Sequence, residues 1–331
     1  MKMKRFLIPF ILATALIVGL MGFQYLGAAT YTQPLYSTTQ STNYDKDAAN
    51  RHNGGMVYYV DGNKVTAGDG LSWANAYNTL TAAMAASHAN IALSANRAWA
   101  ARNVIYVRGD ELVEDFTKLA QKTDIIGVGS NSAYSKAGIT GSWIIPDTVN
   151  YMGCRFYNIM FTDAGATAIF DLDTQSGIEF HDCLFDSGDT TTIAIQMEES
   201  NFIKIVNCEF SRVSATKGFS ASAIKVVDDT NAIYGIVIEG NKIQTAGIGI
   251  DWDETEAYNV WITGNNIYAA GLPIDDQSAT ICVTNNFLIS DTDLDTSATY
   301  TDHMTEKLAA GNYVSGSGTE WDTFPFLQVA D

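Results

Sequence analysis

The sequence predicts an all-β chain, a right-handed parallel β-helix with an N-terminal helical cap segment, on three observations. A six-residue pattern recurs six times between residues 150 and 290. Its cores alternate apolar and polar residues and are rich in Ile, Val, Phe and Thr, as strands with one buried face require. Ahead of the repeats lies an Ala-rich stretch free of Pro and Gly, flanked by short β-type runs, which suits a helix closing one end of a solenoid.

The repeat begins with Tyr151-Met152-Gly153-Cys154-Arg155-Phe156 and Phe180-His181-Asp182-Cys183-Leu184-Phe185. Ile205-Val206-Asn207-Cys208-Glu209-Phe210 and Ile238-Glu239-Gly240-Asn241-Lys242-Ile243 follow. Ile262-Thr263-Gly264-Asn265-Asn266-Ile267 and Cys282-Val283-Thr284-Asn285-Asn286-Phe287 end the series. Anchored on Cys154, Cys183, Cys208, Asn241, Asn265 and Asn285, the spacings are 29, 25, 33, 24 and 20 residues. Unequal periods of this size match a solenoid with loops at its corners. Each coil buries little alone, so its inward Ile and Phe side chains must stack on those of its neighbours. Asp182, Asn207, Asn241, Asn265 and Asn285 suit sharp turns, because Asn and Asp tolerate the left-handed region.

From the N-terminus, residues 1–29 read as a signal peptide or membrane anchor. Lys2, Lys4 and Arg5 precede an uncharged apolar run, residues 6–23, and Gly27-Ala28-Ala29 supplies small residues for cleavage. Either outcome places the body in a secreted or surface location, with membrane contact only through this segment. Residues 30–55 are a polar linker. Residues 56–149 form the N-terminal cap and first coils, with strands at Met56–Val60, Val104–Val107 and Asp124–Gly129 and a helix, or a broken pair, within Ala74–Arg102. Residues 150–290 are the β-helix repeats, and 291–331 leave them as a C-terminal cap.

The chain is acidic, with 37 Asp+Glu against 19 Lys+Arg, and residues 154–331 hold 27 of the acids and 7 of the bases. That field opposes nucleic acid as a partner. In the aligned repeats Cys154, Cys183 and Cys208 share a column that continues as Asn, and Cys282 falls in the inward apolar column. All four read as small buried hydrophobes, with a disulfide between stacked neighbours as the alternative.

Tyr59-Val60-Asp61, Gly68-Asp69-Gly70-Leu71-Ser72-Trp73, Thr79-Leu80-Thr81-Ala82-Ala83 and Val104-Ile105-Tyr106-Val107-Arg108-Gly109 resemble the opening of pectate-lyase-like right-handed β-helix proteins. The resemblance spans about residues 57–290. It implies the fold and leaves activity open among lyases, hydrolases, phage tailspikes and non-catalytic surface proteins. Lyases of that superfamily use Arg or Lys and Ca²⁺ on uronates. Here Arg155, Lys204, Arg212, Lys217, Lys225 and Lys242 do not fall in one register. Trimeric association, common in the phage members, makes a homo-oligomer an open expectation.

Hydrolases of the superfamily need clustered carboxylates. Aligning Ile169, Ile195, Ile224, Ile250 and Ile274 puts Asp173, Glu199, Asp228 and Glu254 in one column and stacks Asp251 on Asp275. Asp251, Asp253, Asp275 and Asp276 are therefore the candidate catalytic residues of an enzymatic reading; the Asn-Thr-Asp, Gly-His-Gly and Arg-Ile-Lys motifs of the hydrolases are absent. Asp291, Asp293 and Asp295 alternate as in a Ca²⁺ loop, but lack its glycine and closing Glu. His181 reads as a surface histidine. Trp252, Tyr258, Trp261 and Tyr268 fall within two coils and are candidates for stacking on sugars. The expected function is an exported, non-catalytic surface, appendage or virion-type β-helix that binds a polysaccharide or cell-surface glycan. The alternative is a polysaccharide hydrolase or lyase, and Ca²⁺ is the one cofactor the acidic residues suggest.

Overall fold

The computed structural model describes residues 55–92, 101–109, 112–128, 137–162, 165, 167–188, 192–211, 218–228, 231–276, 278, 280–290 and 312–316. The leader, the linker as far as residue 54 and Asp291, Asp293 and Asp295 lie outside them. Three sheets of parallel strands run along the chain. Sheet A has nine strands from Val57–Asp61 to Cys282–Thr284, sheet B nine from Leu112–Val113 to Tyr313–Gly316, and sheet C six from Trp143–Ile145 to Ile274–Asp276. From Thr123–Gly127 to Ile274–Asp276 each coil adds one strand to each sheet and pairs in register with the coil before it. This is a parallel β-helix.

The N-terminal end is closed by α1, Leu80–Ala92, which begins six residues after the Ala74 start of the expected stretch. Leu80, Ala83, Met84, Ser87 and Ile91 are its buried residues. Its first turn is capped from the solenoid, because the Glu114 carboxylate accepts the amide N–H groups of Leu80 at 2.6 Å and Thr81 at 2.9 Å. A carboxylate there satisfies orphan donors and meets the positive end of the helix dipole.

The core is a column of rings. Phe116, Trp143 and Phe170 stack at 3.8 and 5.1 Å, Phe156 on Phe180 at 5.2 Å, and Phe161, Phe185 and Phe210 at 5.4 and 4.6 Å. In-register pairing forces such stacks, since equal side chains in successive coils lie one strand spacing apart.

The register differs from the expected one at both ends. Phe156 pairs with Phe180, so Ile159, not Cys154, occupies the anchor column, and Cys154 falls with Ile178. At the far end Val283 pairs with Ile262 and Cys282 with Trp261. The anchor is therefore Asn286, and Cys282 faces outward. On sheet C, Ile195 pairs with Phe170 and Glu198 with Asp173, so the expected Asp173–Glu199 register is one residue out. The two one-residue shifts arise where apolar residues are adjacent, at Cys282-Val283 and Ile169-Phe170, and the five-residue shift at the start arises because Ile159 stands where later coils have Cys or Asn. Asn312 resumes the column, and Tyr313–Gly316 adds a further strand to sheet B.

The anchor column has one function that Cys and Asn share. The thiols of Cys183 and Cys208 point at the carbonyl oxygens of Phe156 and Phe180, at 3.7 and 3.5 Å. The Nδ2 groups of Asn241, Asn265, Asn286 and Asn312 donate to the carbonyls of Ile205, Ile238, Ile262 and Val283 at 2.9 to 3.0 Å. Each side chain thus covers the inward-column carbonyl of the preceding coil, where the chain bends between sheets A and B. The bend itself uses positive φ at Asn158, Asp182, Asn207, Gly240, Gly264 and Asn285. Asn241 and Asn265 are therefore ladder residues and not the turn residues expected. All four cysteines are free, and burial pushes the Cys154 thiol up to about 12 and the Cys208 thiol well above its ordinary range.

Candidate functional site

Three outward-facing groups of side chains stand out. The first is a row on sheet C formed by the register Asp171–Gln196–Lys225–Asp251–Asp275. Gln196 donates to Asp171 at 3.1 Å, and the Lys225 ammonium bridges Asp251 at 2.9 Å and Asp253 at 3.0 Å. Burial, reinforced by Asp251, Asp253 and Asp276, raises the Asp275 carboxyl above its ordinary range. Asp276 points inward and is fully buried, its carboxylate accepting the Ser278 amide at 2.8 Å. The stacking of Asp251 on Asp275 is as expected, while Asp276 is a structural residue. Lys225, expected only to lie outside a shared register of basic residues, sits between Asp251 and Asp253.

The second group is a charge node on sheet A, where Arg155, Glu179 and Lys204 share one column. Two of the basic residues expected to be out of register are thus in register. Glu179 lies 3.4 Å from Arg155, 3.5 Å from Lys204 and 2.9 Å from the His181 ring nitrogen. His181 also stacks on Tyr157 at 4.9 Å, so it is held on two sides. Burial pushes the Glu179 carboxyl up, but the His181 hydrogen bond, Arg155 and Lys204 outweigh it and hold it at about 2. A depressed carboxyl stabilises the fold above its unfolded value near 4.5, and that contribution drains as pH falls toward 2. Because Arg155 and Lys204 are partly exposed, about 2 kcal/mol is the expected size. Glu179→Gln should lower urea-unfolding stability by that amount at pH 7 and leave it unchanged at pH 2; a pH-independent difference would refute the ion-pair account.

The third group is an aromatic corner where the chain enters sheet A. Phe202, Tyr234, Tyr258 and Trp261 are all close to half exposed or more, and the two tyrosines stack at 5.2 Å. Tyr234 and Tyr258 are in register, and the Trp261 indole donates to the Asn259 side chain at 3.3 Å. Of the four expected stacking residues, the fold brings Tyr258 and Trp261 together. Trp252 is buried, with its indole N–H donating to the Glu254 carbonyl at 2.9 Å. Tyr268 belongs to sheet B, on a different face. Phe202 and Tyr234 were missed. Their signal was present in the repeated triplets Asn201-Phe202-Ile203, Tyr234-Gly235-Ile236 and Tyr258-Asn259-Val260, which precede each sheet-A strand.

Among the described residues no three His, Cys, Asp or Glu side chains are grouped to hold a metal ion, and no helix is long and apolar enough to cross a membrane. No family model matches the chain, and no curated protein matches it. A solved structure, pectate lyase Pel9A, aligns over 86% of this chain and 85% of its own, at 14% identity and a TM-score of 0.41. That likeness carries no weight for the site; the β-helix rests on the coil register itself.

Proposed function

We propose that this protein is an exported, non-catalytic β-helix of a cell or virion surface that binds glycans at the aromatic corner. The observation that supports this reading is the grouping, in successive coils, of Phe202, Tyr234, Tyr258 and Trp261, the most exposed aromatic rings among the described residues. Exposed rings grouped in one place mark an interaction site, and Tyr and Trp present apolar area with a polar edge that suits polyhydroxylated ligands. The leader-like residues 1–29 support export. On a glycan array followed by calorimetry, Tyr258→Ala and Trp261→Ala should each weaken binding about tenfold, or ~1.4 kcal/mol. Equal binding by wild type and both variants would exclude the corner. Release of reducing ends or unsaturated uronates from a polysaccharide panel would overturn the non-catalytic reading.

One observation favours a hydrolase as the second reading. Lys225 ties up Asp251 and Asp253, while Asp275 beside them holds its proton more tightly, the division of labour a general acid requires. A raised carboxyl destabilises the fold once ionised, so Asp275→Asn should raise the melting temperature at pH 7, with the gain fading in acid. In the hydrolase reading the same variant abolishes product release; turnover equal to wild type would exclude Asp275 as the acid.

A further inference from the structure

The corner has three further properties that bear on which glycan it suits, and the inference rests on the glycan-binding reading above. Its rings lie in successive coils. The Phe202 amide donates to the Tyr234 carbonyl at 2.8 Å, and the Gly235 amide to the Tyr258 carbonyl at 2.9 Å. Tyr234 and Tyr258 therefore form a column parallel to the solenoid axis, spaced by the coil rise of about 4.8 Å, while Phe202 pairs with Gly235 in the adjoining column and leans its ring over that glycine.

Phe202 is also held at a cost. Its φ is 57°, in the left-handed region, where the neighbouring coils place Gly177, Gly235 and Asn259. A bulky side chain there is destabilising by about 1 kcal/mol or more. Its ring is 59% exposed, so little burial offsets that strain. The ring covers the backbone of the next coil, since a Cβ added at Gly235 would lie 2.6 Å from it. A strained, exposed ring where its neighbours use Gly and Asn is a residue kept for contact and not for stability.

The charges around the row are unfriendly to anions. Glu199, to which the Asn231 amide is bonded, and exposed Glu256 flank it. Lys204, two residues from Phe202, lies 3.5 Å from Glu179, and the repeat half of the chain carries 27 acids against 7 bases. Such a field disfavours a polyanionic chain.

We infer that the corner takes a neutral oligosaccharide laid along the solenoid axis over Phe202, Tyr234 and Tyr258, flanked by Trp261, and that it discriminates against polyanionic glycans. The test is titration of the full chain with neutral gluco-, manno- and N-acetylglucosamine oligosaccharides of increasing length, beside oligogalacturonate, read by calorimetry and Trp261 fluorescence. Affinity should rise with length until the three coils are spanned, and oligogalacturonate should bind at least tenfold more weakly. Phe202→Gly should weaken neutral-glycan binding about tenfold while its melting temperature stays equal or rises. Tighter binding of oligogalacturonate would overturn the neutral-ligand inference and leave glycan binding standing. A Phe202→Gly chain that loses melting temperature and keeps its affinity would overturn the role given to Phe202. Binding of neither glycan class would overturn both readings together.

Discussion

Replacing Phe180 by Ala should destabilise the protein by about 4 kcal/mol, among the largest effects of any single truncation in the chain. Phe180 is fully buried and lies 5.2 Å from Phe156, 4.9 Å from Phe170 and 5.6 Å from Phe185, ring centre to ring centre. It therefore touches rings from its own coil and from the coil before. Truncation removes the transfer energy of the ring and leaves a cavity that stiff, hydrogen-bonded coils cannot collapse around. Phe180→Leu, which keeps most of the volume, should cost about 1 to 2 kcal/mol. Urea denaturation of the two variants checks the pair. A loss under 1 kcal/mol for Phe180→Ala would mean the ring column is not the packed core described above.

Asn265→Ala should cost a similar amount, about 4 kcal/mol, although it removes only a small polar group. Asn265 is buried, and its Nδ2 donates to the Ile238 carbonyl at 3.0 Å and to Asn286 Oδ1 at 2.9 Å. Its Oδ1 accepts the backbone amide and the Nδ2 of Asn241, both at 2.9 Å. Alanine leaves several of these buried partners unsatisfied, at about 1 to 3 kcal/mol each. Asn265→Asp should be no better, because a buried carboxylate cannot donate to Ile238 and carries a desolvation penalty. Asn265→Cys should fall between Asn and Ala, since Cys183 and Cys208 already cover the equivalent carbonyls in earlier coils. Thermal or urea unfolding of the three variants gives the ranking; equal losses for Cys and Ala would refute the equivalence of thiol and amide in this column.

The ladder also explains why the coils vary so much in length without losing register. Successive ladder residues from Cys208 are 33, 24, 21 and 26 apart, yet every Asn reaches the same carbonyl one coil back. Insertions are confined to the connections between sheets, where loop length costs little free energy. The ladder re-establishes the register at one bend per coil.

Much of the fold was legible because period-two alternation and a repeated Cys-or-Asn position are local patterns. They identified the solenoid and the helix at its start. The register was legible where Cys or Asn stands three residues after the inward apolar one, as at Phe180, Ile205, Ile238 and Ile262. At Val283 the adjacent Cys282 competes for the same column, and a one-residue slip changes the face of every side chain; at the other end the anchor position is Ile159, so Cys154 five residues earlier drew the alignment instead. Distinguishing them needed the pairing of whole coils.

The candidate sites divide in the same way. Asp251 over Asp275 followed from aligned repeats alone, and so did the gathering of aromatic residues around Tyr258 and Trp261. Sequence had no means of showing that Trp252 turns inward while Phe202 stays outside, or that Lys225 lies between Asp251 and Asp253. Those outcomes depend on where each bend falls and on which residue takes the left-handed conformation at it, as Phe202 and Asn259 do. The amino-acid pattern by itself determined that coils stack. The stacking decided which side chains meet, because contacts between residues some 25 positions apart exist only once every intervening turn has set its direction.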